Sequence, residues 1–236
     1  LPYASFAGQQ ETFLNIDGFD NLLEAIHKVY ASLFTDRAIS YRSLRGFEGE
    51  LSISVGIQEM VRSDIGSSGV AFTLDTESGY RGAIFITSSY GLGEGIVQGS
   101  VNPDEFYVFK EALKNDKFPI LKKTLGEKAK KMIFANNNKA GKSVKYVKVA
   151  EEDTKNFSIT NDEIIKLSKY TQIIEEHYKV PMDIEWAKDG ISGEIYILQA
   201  RPETVQSKIT DYFEKFTLQQ KSKLIISGKS VGQKIG

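Results

Sequence analysis

The sequence predicts an α+β protein in which a mostly antiparallel sheet is flanked by a few helices. Short runs of alternating apolar residues outnumber helical patterns along the 236 residues. Several of these runs are joined directly by turn-forming residues, which is typical of antiparallel strands. Regular alternation of strands with helices, which would indicate a parallel sheet, is not seen.

Two helices are predicted from the spacing of apolar residues. The first covers residues 20–41, where apolar side chains recur every three to four positions and Asp20 is placed to cap the start. The second covers 161–178, and Thr160 with Glu163 predicts a capping box at its start.

Strands are predicted where apolar residues alternate or cluster in short runs. In chain order these are 51–60, 70–74, 83–87, 105–109, 131–135, 144–149, 182–187 and 194–198. Segments rich in Gly, Asn and Ser at 75–82, 136–141 and 188–193 are predicted to join three pairs of them. A further hairpin is predicted at 224–235.

The composition is that of an ordinary soluble globular protein. Lys and Arg total 30 and Asp and Glu total 31, so the net charge is −1, and neither a nucleic acid nor a membrane is an expected partner. The absence of cysteine excludes disulfides, thiolate metal sites and a cysteine nucleophile. His27 and His177 fall within helical patterns, which favours structural roles for both.

The strongest local signal for chemistry lies in the last predicted pair of strands. Alternation places Asp183 and Glu185 on one face of a strand, and Gln199 and Arg201 on one face of the next segment. Carboxylate and amide oxygens suit Mg²⁺, and a guanidinium suits phosphate oxygens, so the four residues describe a metal–triphosphate site. The alternative is a solvated hairpin face on which a carboxylate pairs with Arg201.

Two glycine-containing segments are weaker candidates. In residues 5–12, Gly8 precedes small polar residues, and backbone N–H groups in such a loop can surround a phosphate. Residues 90–94 contain two glycines and end at Glu94, after a predicted strand. An ordinary turn is the alternative in both cases.

Seven segments in a fixed order resemble the phosphoenolpyruvate synthase (pyruvate, water dikinase) family over nearly the whole chain. They are 4–13, 60–64, 69–73, 86–94, 101–106, 183–190 and 198–205. The most specific are Glu-Trp-Ala-Lys-Asp-Gly at 185–190 and Leu-Gln-Ala-Arg-Pro-Glu-Thr-Val at 198–205. The resemblance implies an ATP-grasp fold with ATP as substrate and Mg²⁺ as cofactor. The family converts ATP, pyruvate and water to phosphoenolpyruvate, AMP and phosphate through a phosphohistidine.

The resemblance also implies metal and phosphate ligands. Glu185 and Gln199 match the Mg–ATP ligands of the family, and Arg201 matches its phosphate-binding arginine. Asp183 is close enough in sequence to assist them.

Three further nucleotide-binding positions follow from the same resemblance. Gly8 and Thr12 fall in the phosphate-contacting loop, and Gln58 falls at the nucleotide-binding hinge. Glu94 is expected to assist by helping to close the site.

The resemblance divides the chain into three parts. Residues 1–50 correspond to the remainder of the first ATP-grasp lobe, 51–207 to the nucleotide-binding lobe, and 208–236 to a linker and the start of the swivelling phosphohistidine domain. The phosphorylated histidine is expected beyond the chain, so these 236 residues alone are expected to be inactive. Pyruvate would be bound through the missing domains, and the full-length enzyme is expected to be a cytoplasmic homodimer.

Other functions stay open on the sequence alone. The same ATP module occurs in pyruvate phosphate dikinase, rifampin phosphotransferase and glucan-water dikinase, although the stretch at 185–190 favours the synthase. A non-catalytic module that binds a nucleotide or a partner is the alternative from another class. The open reading frame of the gene distinguishes these possibilities.

Overall fold

The computed structural model describes residues 11–44, 46, 52–115, 117–137 and 139–203. The strands among them are β1 (Ser67–Phe72), β2 (Ala83–Tyr90), β3 (Asp104–Phe109), β4 (Ile120–Thr124), β5 (Lys130–Phe134), β6 (Val144–Lys148), β7 (Met182–Lys188) and β8 (Ile195–Pro202). The helices are α1 (Phe19–Ala31), α2 (Asp36–Leu44), α3 (Glu94–Val97), α4 (Lys110–Lys114), α5 (Glu151–Thr154) and α6 (Asn161–Tyr178). Short 3₁₀ turns lie at Ser32–Phe34 and Ser63–Ile65.

Six strands form one sheet in the order β4-β3-β2-β1-β7-β8, and every neighbouring pair is antiparallel. β5 and β6 form a separate antiparallel pair. The predicted α+β class with a mostly antiparallel sheet is therefore confirmed. None of the helices in the described ranges combines the length and the apolar character that a bilayer crossing needs.

One face of the six-stranded sheet forms the apolar core with α6. The core includes the buried side chains of Ile84, Ile86, Phe106, Ile164, Leu167, Ile184 and Trp186. Burial of one such side chain stabilises the fold by roughly 1.5–3 kcal/mol. The predicted capping box of α6 is present, since the Thr160 side chain accepts from the Glu163 N–H and the Glu163 side chain accepts from the Thr160 N–H.

The single helix predicted over 20–41 is wrong, because α1 and α2 are separated by the turn Ser32–Phe34. Thr35 has an extended conformation with ψ 149°. Its Oγ1 accepts the N–H of Ala38 at 3.4 Å. A threonine that caps the start of a new helix has a non-helical backbone, so the preceding helix ends before it. The apolar spacing in the sequence continues across this interruption and therefore does not reveal it.

Two strand predictions fail, and strand pairing explains both. Residues 52–60 of the strand predicted at 51–60 are in no strand, and Ile57 is 67% exposed. A strand needs a neighbour for its backbone groups, and no strand of the described chain pairs with this segment. Conversely, β4 was not predicted, because this edge strand exposes Lys122 and Lys123 and lacks apolar alternation. The hairpin predicted at 224–235 lies outside the described residues.

A fully buried ion pair joins the chain connections at one end of the sheet. Lys128 Nζ lies 2.5 Å from Asp104 Oδ1, and both side chains are completely buried. Asp104 also accepts the N–H of Gly126 at 2.9 Å, and the N–H and hydroxyl of Ser158 at 2.8 Å each. The carboxylate therefore ties the start of β3 to the β4–β5 and α5–α6 connections.

Replacing Lys128 with methionine should lower the free energy of unfolding by about 3–5 kcal/mol, because Asp104 would stay buried without its counter-charge. Urea unfolding measures this loss. Lys155→Met is the matched control, since Lys155 pairs with Glu151 at the surface, and a change within about 0.5 kcal/mol is expected there. Equal stability of the two variants would show that the buried pair does not hold these connections.

Candidate functional site

The β7–β8 hairpin brings the four predicted residues of this region together on one sheet face. Its register sets Asp183 opposite Arg201, and Glu185 opposite Gln199. Directly opposed residues of an antiparallel pair have Cβ atoms about 4.5–5.5 Å apart. Because Ile184 between the two carboxylates belongs to the core beneath α6, this group lies on the opposite, uncovered face of the sheet.

A β-bulge at Leu198 sets this arrangement. Trp186 pairs with Ile197 while Glu185 pairs with Gln199, so Leu198 is an extra residue in β8. Trp186 is in the core and Ile197 packs against it, so uninterrupted alternation would turn Gln199 toward the core as well. The extra residue moves Gln199 and those that follow to the face of the carboxylates. No feature of the residue pattern marks Leu198 as the inserted one.

Asp183 holds Arg201 and keeps one oxygen unused. The Nε and one terminal nitrogen of Arg201 each lie 2.8 Å from Asp183 Oδ2. Asp183 Oδ1 is buried and has no hydrogen-bond partner within the described residues. A buried carboxylate oxygen without a donor costs free energy, which a bound cation would offset. The guanidinium has five N–H donors, so its pairing with Asp183 leaves donors for a phosphate.

Glu185 is in an environment that disfavours its charge. Burial raises the pKa of Glu185 above the ordinary value of 4.5; nearby Arg201 lowers it and nearby Asp183 raises it. A carboxylate that is costly to ionise in the absence of a cation is typical of metal and catalytic sites.

The donor set of the hairpin fits Mg²⁺. Within the described residues, no group of three or more His, Cys, Asp or Glu side chains is arranged to hold a metal ion. The hairpin offers two carboxylates and one amide oxygen instead. Mg²⁺ is commonly bound by one or two carboxylates together with waters and substrate phosphates, so a complete protein cage is not required.

Gly8, Thr12 and Gln58 are the predicted nucleotide-binding positions outside the β7–β8 hairpin. Gly8 lies outside the described residues. Thr12 and Gln58 are exposed and belong to no helix or strand. Within the described chain, no hydrogen bond or ion pair connects either of them to the β7–β8 residues.

The loop after β2 approaches the segment that contains Thr12. Burial raises the pKa of Glu94, and the charge of Glu11 raises it further, which shows that the two carboxylates are near each other. Gly91 in this loop has φ 86°, and a Cβ there would lie 2.5 Å from the carbonyl oxygen of Met132. Only glycine fits that position.

Comparison with known proteins identifies the family. The sequence profile of the pyruvate phosphate dikinase AMP/ATP-binding domain matches residues 1–222. The chain belongs to this family. Members of this family are AMP/ATP-binding domains, so residues 1–222 of this chain form an ATP-binding domain.

Curated relatives of this AMP/ATP-binding domain cover its whole length. Proteins named phosphoenolpyruvate synthase from Neisseria meningitidis, Pseudomonas aeruginosa and Escherichia coli are 58%, 54% and 52% identical to it over 100% of the chain. The chain spans 30% of the length of each of these relatives.

In this AMP/ATP-binding domain without divalent cations, Glu185→Gln should raise Tm at neutral pH by up to about 4 °C. The folded-state pKa of Glu185 is raised above 4.5, so its ionised form destabilises the fold at neutral pH, and this penalty declines as pH falls from the folded-state pKa toward 4.5. The Tm difference from the wild type should therefore shrink on acidification. Differential scanning calorimetry measures both effects.

The control for this experiment is Glu59→Gln, at an exposed position. It should leave Tm unchanged at neutral pH. A Glu185→Gln variant that melts below the wild type at neutral pH would contradict the electrostatic description of the site.

Proposed function

We propose that this chain is the ATP-binding portion of a phosphoenolpyruvate synthase, folded as part of an ATP-grasp domain. The observation that carries the proposal is the register of β7 and β8, which gathers Asp183, Glu185, Gln199 and Arg201 on one face. Relatives that bear the synthase name and are 52–58% identical over the whole chain support it. The full enzyme would convert ATP, pyruvate and water to phosphoenolpyruvate, AMP and phosphate.

In this proposal the hairpin residues hold the phosphate end of Mg·ATP. Glu185 and Gln199 supply oxygen ligands to the metal, and Arg201 donates hydrogen bonds to phosphate oxygens. Asp183 fixes the guanidinium of Arg201 and provides a further oxygen beside the metal. Bound Mg²⁺ would neutralise phosphate charge and orient the phosphates for transfer.

The other predicted residues complete the nucleotide site in this proposal. Gly8 and Thr12 contact the phosphates, Gln58 lies at the hinge beside the base, and Glu94 helps to close the site. The electrostatic effect of Glu11, next to Thr12, on Glu94 supports the placing of the phosphate loop beside the loop that follows β2.

The division of the chain belongs to the same proposal. Residues 1–50 complete the first ATP-grasp lobe, 51–207 form the nucleotide-binding lobe, and 208–236 lead into a phosphohistidine domain. Pyruvate would bind to other domains of the full-length enzyme. The homodimer and the cytoplasmic location stay predictions. A related dikinase with the same ATP module is less well supported, because the relatives named above are synthases.

Glu185→Ala and Arg201→Ala in the full-length synthase should each lower kcat/KM for ATP by about 30- to 1,000-fold. This corresponds to about 2–4 kcal/mol of lost transition-state stabilisation, as expected when an electrostatic contact to the reacting phosphates is removed. Pyruvate-dependent AMP formation measures the effect.

Glu194→Ala is the control on the same hairpin, since the Glu194 side chain forms an exposed ion pair with Lys166 and its backbone hydrogen bonds are kept by alanine. Its turnover should stay within about twofold of the wild type. Near-normal turnover of both Glu185→Ala and Arg201→Ala would count against the assignment of the site.

A further inference from the structure

The turn after β7 is hydrogen-bonded to the segment that leads into β1. The N–H of Arg62 donates to Asp189 Oδ2 at 3.2 Å. The N–H of Gly190 donates to the carbonyl oxygen of Arg62 at 3.1 Å. Two consecutive residues of the turn therefore hold both backbone polar groups of one residue that lies 127 positions away in sequence. We call Asp189, Gly190 and Arg62 the latch.

The turn that supplies the latch is itself held by Asp189. Its Oδ1 accepts the N–H groups of Ile191 and Ser192, each at 2.8 Å. The N–H of Gly193 donates to the Asp189 carbonyl oxygen at 2.9 Å. One carboxylate oxygen thus shapes the turn while the other reaches across to Arg62.

Two glycines allow the segments to touch backbone to backbone. A Cβ on Gly66 would lie 2.3 Å from the carbonyl oxygen of Lys188. A Cβ on Gly190 would lie 2.4 Å from the carbonyl oxygen of Ile65. Neither distance is sterically allowed, so a side chain at either position would push the segments apart.

The segment from Arg62 to Gly66 also contacts the loop after β2 and the strand β5. The N–H of Gly91 donates to the Gly66 carbonyl oxygen at 3.2 Å. The guanidinium of Arg62 bonds to Asp64 at 2.9 and 3.1 Å and lies 5.3 Å from the ring centroid of Phe134. The segment around the latch is therefore held by the turn after β7, by the loop after β2 and by β5.

The latch connects the hinge to the metal-binding strand. Gln58 lies in residues 52–61, and within the described structure the hydrogen bonds that join residues 52–62 to residues distant in sequence are those of Arg62. Glu185 is four residues before Asp189 on the same stretch of chain, which is about 13 Å along an extended strand. A change at Asp189 would therefore move the hinge relative to the metal ligands without touching those ligands.

We infer that Asp189 is a positioning residue that sets the selection of the nucleotide base, because its latch on Arg62 fixes where the Gln58 segment meets the base. This inference rests on the proposed function, in which Glu185 holds the metal and Gln58 lies beside the base. Phosphate and metal contacts are common to all nucleoside triphosphates. The latch would consequently affect adenine recognition more than triphosphate binding.

Asp189→Asn tests the inference in the full-length protein. The amide oxygen of asparagine can still accept from Ile191 and Ser192, but its NH₂ group would then face the N–H of Arg62. The dissociation constants of the Mg²⁺ complexes of non-hydrolysable ATP and GTP analogues are measured by calorimetry. We expect affinity for the ATP analogue to fall about tenfold, as for loss of one charge-assisted hydrogen bond, and affinity for the GTP analogue to change by less than about twofold.

Gly190→Ala is the second variant, and it should reduce the same discrimination by forcing the segments apart. Ile191→Ala is the matched control, since Ile191 lies in the same turn with an exposed side chain and contacts Asp189 through its backbone N–H, which alanine keeps. The ratio of its dissociation constants for the ATP and GTP analogues should equal that of the wild type. Thermal melting of each variant checks the fold.

The outcomes separate the inference from the proposed function. Wild-type discrimination between the ATP and GTP analogues in both Asp189→Asn and Gly190→Ala would overturn the role of the latch alone. Equal weakening of both analogues would also overturn it, since a general loss of structure acts on both. A wild-type protein that binds neither analogue would overturn the proposed function and the inference together.

Discussion

The candidate site depends on the register in which β8 pairs with β7. Side chains on a strand alternate between two faces, so a shift of one residue exchanges the buried and exposed sets. The extra residue Leu198 makes this exchange part-way along β8. Ile195 and Ile197 before the bulge contribute to the core, whereas Gln199 and Arg201 after it face the carboxylates of β7. The core side of β8 fixes the register, because a slip of one residue would turn the guanidinium of Arg201 into the core, opposite Met182 or Ile184.

Buried charge is compensated on one face of the sheet and left partly uncompensated on the other. On the covered side, Asp104 and Lys128 are fully buried but neutralise each other, and Asp104 accepts further hydrogen bonds. On the uncovered side, Asp183 keeps a buried oxygen without a donor in the described structure, and burial raises the pKa of Glu185. This buried oxygen of Asp183 and the burial of Glu185 both lower the stability of the fold. Their occurrence side by side is the pattern expected where a cation and phosphates complete the structure.

Local patterns predicted what depends on neighbours in sequence. The capping box of α6 involves residues three positions apart, and alternation along one strand places Asp183 with Glu185, and Gln199 with Arg201. The misses depend on distant partners. Alternation in 51–60 is not sufficient for a strand without a neighbour, and the latch joins positions 127 residues apart. The bulge at Leu198 has no local signal either, although it decides which face of the sheet Gln199 and Arg201 occupy.

The most direct test is a crystal structure of the full-length protein with Mg²⁺ and a non-hydrolysable ATP analogue. The metal is predicted to lie about 2.0–2.1 Å from side-chain oxygens of Glu185 and Gln199, with Arg201 donating to a phosphate oxygen. A nucleotide bound with its metal elsewhere, and with these three side chains making no contact to metal or phosphate, would contradict the role assigned to this hairpin.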